Sequence, residues 1–137
     1  AEVLEVKCDV LIPAALGGVI NEGNMNRINA GFIIEGANQP ITAIADKELR
    51  AQGVLIVPDI LANSGGVMGS YFEWTQNIQE FSWPIDKFRR ELDARMEKAF
   101  INVDEVAKKY SVDLRTAAFV VSVGRVAEAF EMRGSLV

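Results

Sequence analysis

Three short apolar runs, Val10-Leu11-Ile12, Phe32-Ile33-Ile34 and Val54-Leu55-Ile56-Val57, constrain the fold more than any other feature of this chain. They are rich in β-branched residues and almost evenly spaced. They do not alternate apolar with polar side chains, as a sheet with one wet face would. The pattern predicts strands buried on both faces, which belong to a parallel sheet. The stretches between them supply crossover helices. The clearer one begins at Thr42 and runs to Leu49, with Thr42 and Asp46 flanking its first turn and Gly53 as its stop. The earlier one, around Asn21 to Ile28, carries several Asn and a Gly and predicts a weaker helix. Right-handed crossovers then set the strands side by side as a β-α-β-α-β unit over residues 1–62.

Residues 63–137 read as a helical C-terminal segment. Gly65 to Asn77 forms a helix carrying Tyr71, Phe72 and Trp74. After Pro84, a long amphipathic helix extends from about Asp86 to Tyr110, with apolar positions recurring at three and four residues. Asp113 caps a last helix through Leu114, Ala117, Val120, Val121, Val126 and Phe130. That helix is apolar over most of its circumference, which predicts burial, and Gly124 within it fits close helix packing or a merely tolerated Gly.

Composition narrows the chemistry. Acidic residues outnumber basic ones, 19 to 14, and no Lys/Arg cluster stands out, which argues against nucleic acid or an anionic membrane as partner. No apolar stretch is long enough to span a bilayer. The single cysteine, Cys8, permits no internal disulfide and reads as a small core residue. There is no histidine, which removes imidazole acid–base catalysis, a Ser-His-Asp triad and His-ligated zinc. No catalytic residue and no metal ligand set is assigned.

Each strand-like run ends in small or turn-forming residues: Pro13 to Gly18, Glu35 to Pro40, and Pro58 to Gly66. In a parallel sheet these segments emerge along one edge, where open α/β sheets bind ligands. Asn38 and Asn63 could donate to and accept from a carboxamide or a ribose hydroxyl, or serve local turns and caps. Gly65-Gly66 before a helix offers amides to an anion, with Ser70 close behind, or is a plain connection. Tyr71, Phe72 and Trp74 read as core, Glu73 as turned outward or paired, and Asp59 as a turn residue rather than a general base.

Five ordered blocks, Cys8 to Ala15, Glu35 to Asn38, Pro58-Asp59, Asn63 to Val67 with Ser70 to Trp74, and Asp113 to Ala118, resemble the glutamate dehydrogenase family over essentially the whole chain. The resemblance implies the second half of a Rossmann-like, α/β dinucleotide-binding domain. It implies that Ala14, Asn38 and Asn63 line the nicotinamide and its ribose, that Ser70 binds the side-chain carboxylate of glutamate, and that Val67 packs beside it. It further implies oxidative deamination of L-glutamate to 2-oxoglutarate and ammonia with NAD or NADP, a cytoplasmic location and a homohexamer. Asn77 to Phe81 is most similar to the NAD-linked branch, which favours NAD. Met68 and Gly69 stand where the family usually has Thr and Val, and a Gly there would loosen the turn and enlarge the substrate pocket. The family's catalytic lysine and aspartate belong to a substrate domain, and its Gly-x-Gly-x-x-Gly fingerprint to a first βαβ half. Neither is in these residues, so no turnover is expected from them alone. Two other readings are a nucleotide-sensing or interaction module derived from the family, and an amino-acid dehydrogenase of altered specificity.

Overall fold

A computed structural model describes residues 2–134. Strands β1 (Cys8–Leu11), β2 (Ala30–Ile34) and β3 (Leu55–Val57) form a parallel sheet in the order β1-β2-β3. Helix α1 (Ala43–Ala51) connects β2 to β3. The Thr42 hydroxyl accepts from the Ala45 amide at its start, and Gly53 lies just past its end at φ +88°. Both local signals in the sequence therefore act as expected, because each needs only its immediate neighbours.

The weaker crossover differs. Between β1 and β2 only Met25–Arg27 turns, as a 3-10 helix. Asparagine side chains take the backbone groups that a helix would use. The Asn21 amide donates to Asn24 Oδ1, the Gly23 amide to Asn21 Oδ1, and Asn24 Nδ2 to the Val19 carbonyl.

One face of the sheet is buried and the other is not, a correction to the expectation of two dry faces. Ile33 and Ile56 sit in register and pack with Ile20, Ile28, Ile41, Ala45 and Leu49. The adjacent row, Val10–Phe32–Leu55, is also in register across all three strands, and each of its residues is 45–50% exposed. The sequence carries apolar side chains on both faces, but these residues supply a full layer for one. Cys8 is half-buried at the start of β1.

The remaining helices are α2 (Asp59–Ala62), α3 (Gly65–Gln79), α4 (Ile85–Tyr110) and α5 (Leu114–Arg133). Only Asn63 and Ser64 separate α2 from α3. Phe72 anchors α3 against Trp83 and Phe88, and a second core joins Leu61, Val103, Ala117 and Ala118. A Cβ built on Gly65 would contact the Met96 sulfur at 3.6 Å, and one on Gly69 would contact Phe88 at 3.4 Å. These two glycines, one turn apart, let α4 approach α3 closely.

Helix α5 is buried only at its beginning. Val120, Val123, Val126 and Phe130 are 47–70% exposed, and a Cβ on Gly124 would meet nothing within 4 Å. The expectation of a buried last helix is corrected, and of the two readings of Gly124 the tolerated glycine is the one the structure matches. The stripe exists, but no other described element lies over its second half. Tyr71 and Trp74 are likewise exposed, so of that aromatic group only Phe72 is core.

Candidate functional site

Parallel strands deliver the three loops to one rim, and hydrogen bonds stitch the loops together. The Ala37 amide donates to the Pro13 carbonyl at 2.8 Å, joining the loops after β2 and β1. The loop after β3 reaches the one after β2 through Asn63, whose Nδ2 donates to Asn38 Oδ1 at 2.8 Å and to the Gly36 carbonyl at 3.4 Å. A Cβ on Gly36 would lie 3.0 Å from the Ala14 Cβ, tighter than most real Cβ contacts, so the neighbour would have to give by a few tenths of an ångström. Ala14, Asn38 and Asn63 are thus brought together.

The pairing of the two amides leaves one donor and one acceptor. Asn63 gives its NH2 to Asn38, so Asn38 Nδ2 and Asn63 Oδ1 have no partner among the described residues. A planar carboxamide, with one carbonyl and one NH2, complements that pair, and the exposed Asn38 is open to it.

Val67 and Ser70 follow Asn63 along the helical rod, both exposed. A step of seven positions, six of them in α3, places Ser70 roughly 10 Å beyond Asn63. Val67, Tyr71, Trp74 and Ile78 form an exposed stripe with it, and the Tyr71 and Trp74 rings are 5.8 Å apart. The structure does not bring Ser70 into contact with the asparagines. A side chain at Gly69 would meet Phe88 of α4. At the start of α3 the Gly66 amide donates to the Asn63 carbonyl and the Met68 amide to the Ser64 carbonyl.

Beneath the rim lies a charge network that the reading of the sequence missed. Glu35 is fully buried, and Arg115 Nη2 donates to its Oε1 at 2.7 Å. The same guanidinium reaches Asp46 Oδ1 at 3.1 Å and Asp59 Oδ1 at 3.3 Å. Arg50 bridges Asp46, at 2.6 Å, to Asp113, at 2.9 Å. Burial alone would lower the Arg115 pKa, but the hydrogen bonds and charges of Glu35 and Asp46 raise it above the ordinary value. Asp113 accepts from the Thr116 amide, as the cap expected from the sequence. Two signals could have exposed the network: an acid closing the apolar run Phe32-Ile33-Ile34, and Arg115 beside Ala117-Ala118 on a helix that packs.

A recess of about 850 Å³ opens beside this network, bordered by Gly17, Asn38, Gln39, Asp59, Arg115 and Phe119. Another, of about 730 Å³, lies between the open sheet face and α4, lined by Phe32, Leu55, Phe100 and Val112. It is remote from the rim asparagines. Among the described residues no cluster of three or more His, Cys, Asp or Glu side chains could hold a metal ion, and no helix is long and apolar enough to cross a membrane.

Comparison with known proteins identifies the family. The family model described as Glutamate/Leucine/Phenylalanine/Valine dehydrogenase matches residues 1–134. The glutamate dehydrogenase of Thermotoga maritima is 51% identical over 133 residues, covering 97% of this chain and 32% of that protein. The crystal structure of a glutamate dehydrogenase from Peptoniphilus asaccharolyticus superposes with a TM-score of 0.84 at 40% identity, over 90% of this chain and 31% of the other. That of the hetero-hexameric glutamate dehydrogenase of Thermus thermophilus, in its Leu-bound form, gives 0.94 at 30% identity, over 99% and 33%. This chain therefore spans about a third of the length of these relatives.

Proposed function

The chain belongs to the glutamate/leucine/phenylalanine/valine dehydrogenase family, and from that we propose that it forms the C-terminal part of the coenzyme-binding domain of a glutamate dehydrogenase. The whole enzyme would oxidise L-glutamate to 2-oxoglutarate and ammonia, using NAD or NADP, with NAD favoured by the resemblance at Asn77 to Phe81. The Asn63–Asn38 hydrogen bond carries this reading, because it leaves a donor and an acceptor at the rim for a carboxamide. Ala14 and Gly36 give the flat ring a floor with little side-chain bulk.

When bound, the coenzyme supplies the hydride acceptor. The residues here orient it: Asn38 and Asn63 hold the carboxamide and ribose hydroxyl, and Ser70 donates its hydroxyl to the substrate's side-chain carboxylate beside Val67. Glutamate is favoured over a branched-chain substrate because the matched relatives are glutamate dehydrogenases. No acid–base residue is assigned among these residues to take the proton from the substrate's amino group, so the 137 residues alone are expected to show no turnover. The complete enzyme is expected to be a homohexamer, which light scattering checks.

Steady-state kinetics on the complete enzyme test the assignment. Asn38→Ala and Asn63→Ala should each raise the coenzyme KM about tenfold, with the glutamate KM changed less than about twofold. Ser70→Ala should do the reverse. An unchanged coenzyme KM in both asparagine variants would reject the rim as the nicotinamide site. Comparing kcat/KM for NAD with NADP decides the coenzyme.

A further inference from the structure

The residue after Asn38 adopts a backbone that L-residues avoid. Gln39 has φ +46°, in the left-handed region, although it is not glycine. Its side chain is exposed and makes no hydrogen bond that would explain the conformation. Its backbone is held instead. The Gln39 carbonyl accepts from the Gly18 amide at 2.8 Å, and the Gln39 amide donates to Asp59 Oδ2 at 2.8 Å.

The Asp59 carboxylate is itself fixed from several sides. Its Oδ1 accepts from the Ile60 amide at 2.8 Å and from Arg115 Nη1 at 3.3 Å. Its own amide donates to Glu35 Oε2 at 2.8 Å, and Arg115 secures the other oxygen of Glu35. A brace thus runs from α5, through a fully buried carboxylate, to a single backbone amide one residue from a candidate coenzyme contact.

We infer that Asp59 is a positioning residue for coenzyme binding: its carboxylate clasps the Gln39 amide, keeps that residue left-handed, and so presents the Asn38 side chain toward Asn63. This rests on the reading of Asn38 given above. Without the clasp, Gln39 relaxes toward negative φ, the peptide joining it to Asn38 rotates, and the two asparagine amides part. Asp59 touches no coenzyme; it acts through Gln39.

The test is kinetic, on the complete enzyme. Asp59→Asn is isosteric but must place an NH2 against either the Gln39 amide or the donors Arg115 and Ile60, so it cannot satisfy all of them. It should raise the coenzyme KM about tenfold, the loss of one hydrogen bond to a charged acceptor, with the glutamate KM and kcat within about twofold. Adding Gln39→Gly, which enters the left-handed region freely, should recover most of that loss. Amide exchange at residue 39 should quicken in Asp59→Asn and provides a readout independent of activity. A carboxylate that merely supported the fold would lower thermal stability, leave the coenzyme KM in place and gain nothing from the glycine. If Asp59→Asn leaves the coenzyme KM unchanged while Asn38→Ala raises it, the clasp is refuted and the rim assignment stands. If Asn38→Ala leaves it unchanged as well, the rim assignment fails and the inference falls with it. Should Asp59→Asn not fold, Asp59→Glu keeps the charge for Arg115 but carries the carboxylate one methylene away from Gln39, and the same outcomes apply.

Discussion

Arg115 Nη2 lies 2.7 Å from Glu35 Oε1 across 80 residues of sequence, and Glu35 has no exposure to solvent. A buried carboxylate without its cation is costly, whereas the intact pair need not be strongly stabilising. Arg115→Met should therefore destabilise the protein by about 3–5 kcal/mol. Adding Glu35→Gln, which removes the stranded charge but can still accept from the Asp59 amide, should recover more than half. Urea unfolding of the parent, both single variants and the double variant gives the coupling energy. Additive losses would mean that the two side chains do not act as a pair.

Gly36→Ala should perturb the rim through contact rather than through backbone conformation. The new methyl would sit 3.0 Å from the Ala14 Cβ and 3.4 Å from its Cα, so two backbone segments must separate. The expected cost is about 1–3 kcal/mol of stability, together with a weaker grip on coenzyme. Gly66→Ala, where a Cβ would meet nothing within 4 Å, is the control and should change stability far less. Equal losses at the two positions would remove the contact with Ala14 as the cause.

The Asp113 carboxylate has an acid-sensitive role. Burial raises its pKa, but the Thr116 amide and hydroxyl and the Arg50 charge outweigh burial and hold it below the ordinary 3.8. A folded-state pKa below the unfolded one stabilises at pH values above the unfolded value, and that contribution disappears as the pH falls through the folded one. Asp113→Asn keeps a cap acceptor but loses the charge. It should be less stable than the parent by about 1 kcal/mol near neutral pH, with the gap closing below about pH 4. Unfolding titrations near neutrality and near pH 3 check the sign, and a gap that persists in acid would contradict it.

The open row Val10–Phe32–Leu55 predicts that the 137 residues associate when isolated. Burying about half the surface of three such side chains favours association by a few kcal/mol before entropy is counted. Phe32→Ser with Leu55→Ser should shift the average mass by light scattering toward the monomer. A parent that stays monomeric at high concentration would show that the row does not drive contact.

Much of the framework was legible because its signals are local. Thr42, Gly53 and Asp113 act on their nearest neighbours, and the strand-like runs were long and apolar enough to identify. The Asn21–Ile28 crossover was misread because Asn side chains compete with the backbone for hydrogen bonds, and periodicity does not record that competition. The second dry face and the buried α5 were inferred from apolar side chains alone, but burial also requires an element to cover them. Converging loops made the rim asparagines candidates beside a local turn role, and the family resemblance supplied their coenzyme role. Asp59 could not be given its role, because that role depends on Arg115, 56 residues later, and on the backbone angle of Gln39.

With only Asn63 and Ser64 between them, α2 and α3 act almost as one rod that carries both Asn63 and Ser70. The interval between these two residues is therefore a gauge graduated in whole residues. Deleting a single position within it would swing the Ser70 hydroxyl around the axis by about 100° and draw it about 1.5 Å closer to Asn63. The turn at 80–84, which lies outside that interval, can change length without altering the gauge. Over evolutionary time, insertions should collect there and be excluded between 63 and 70.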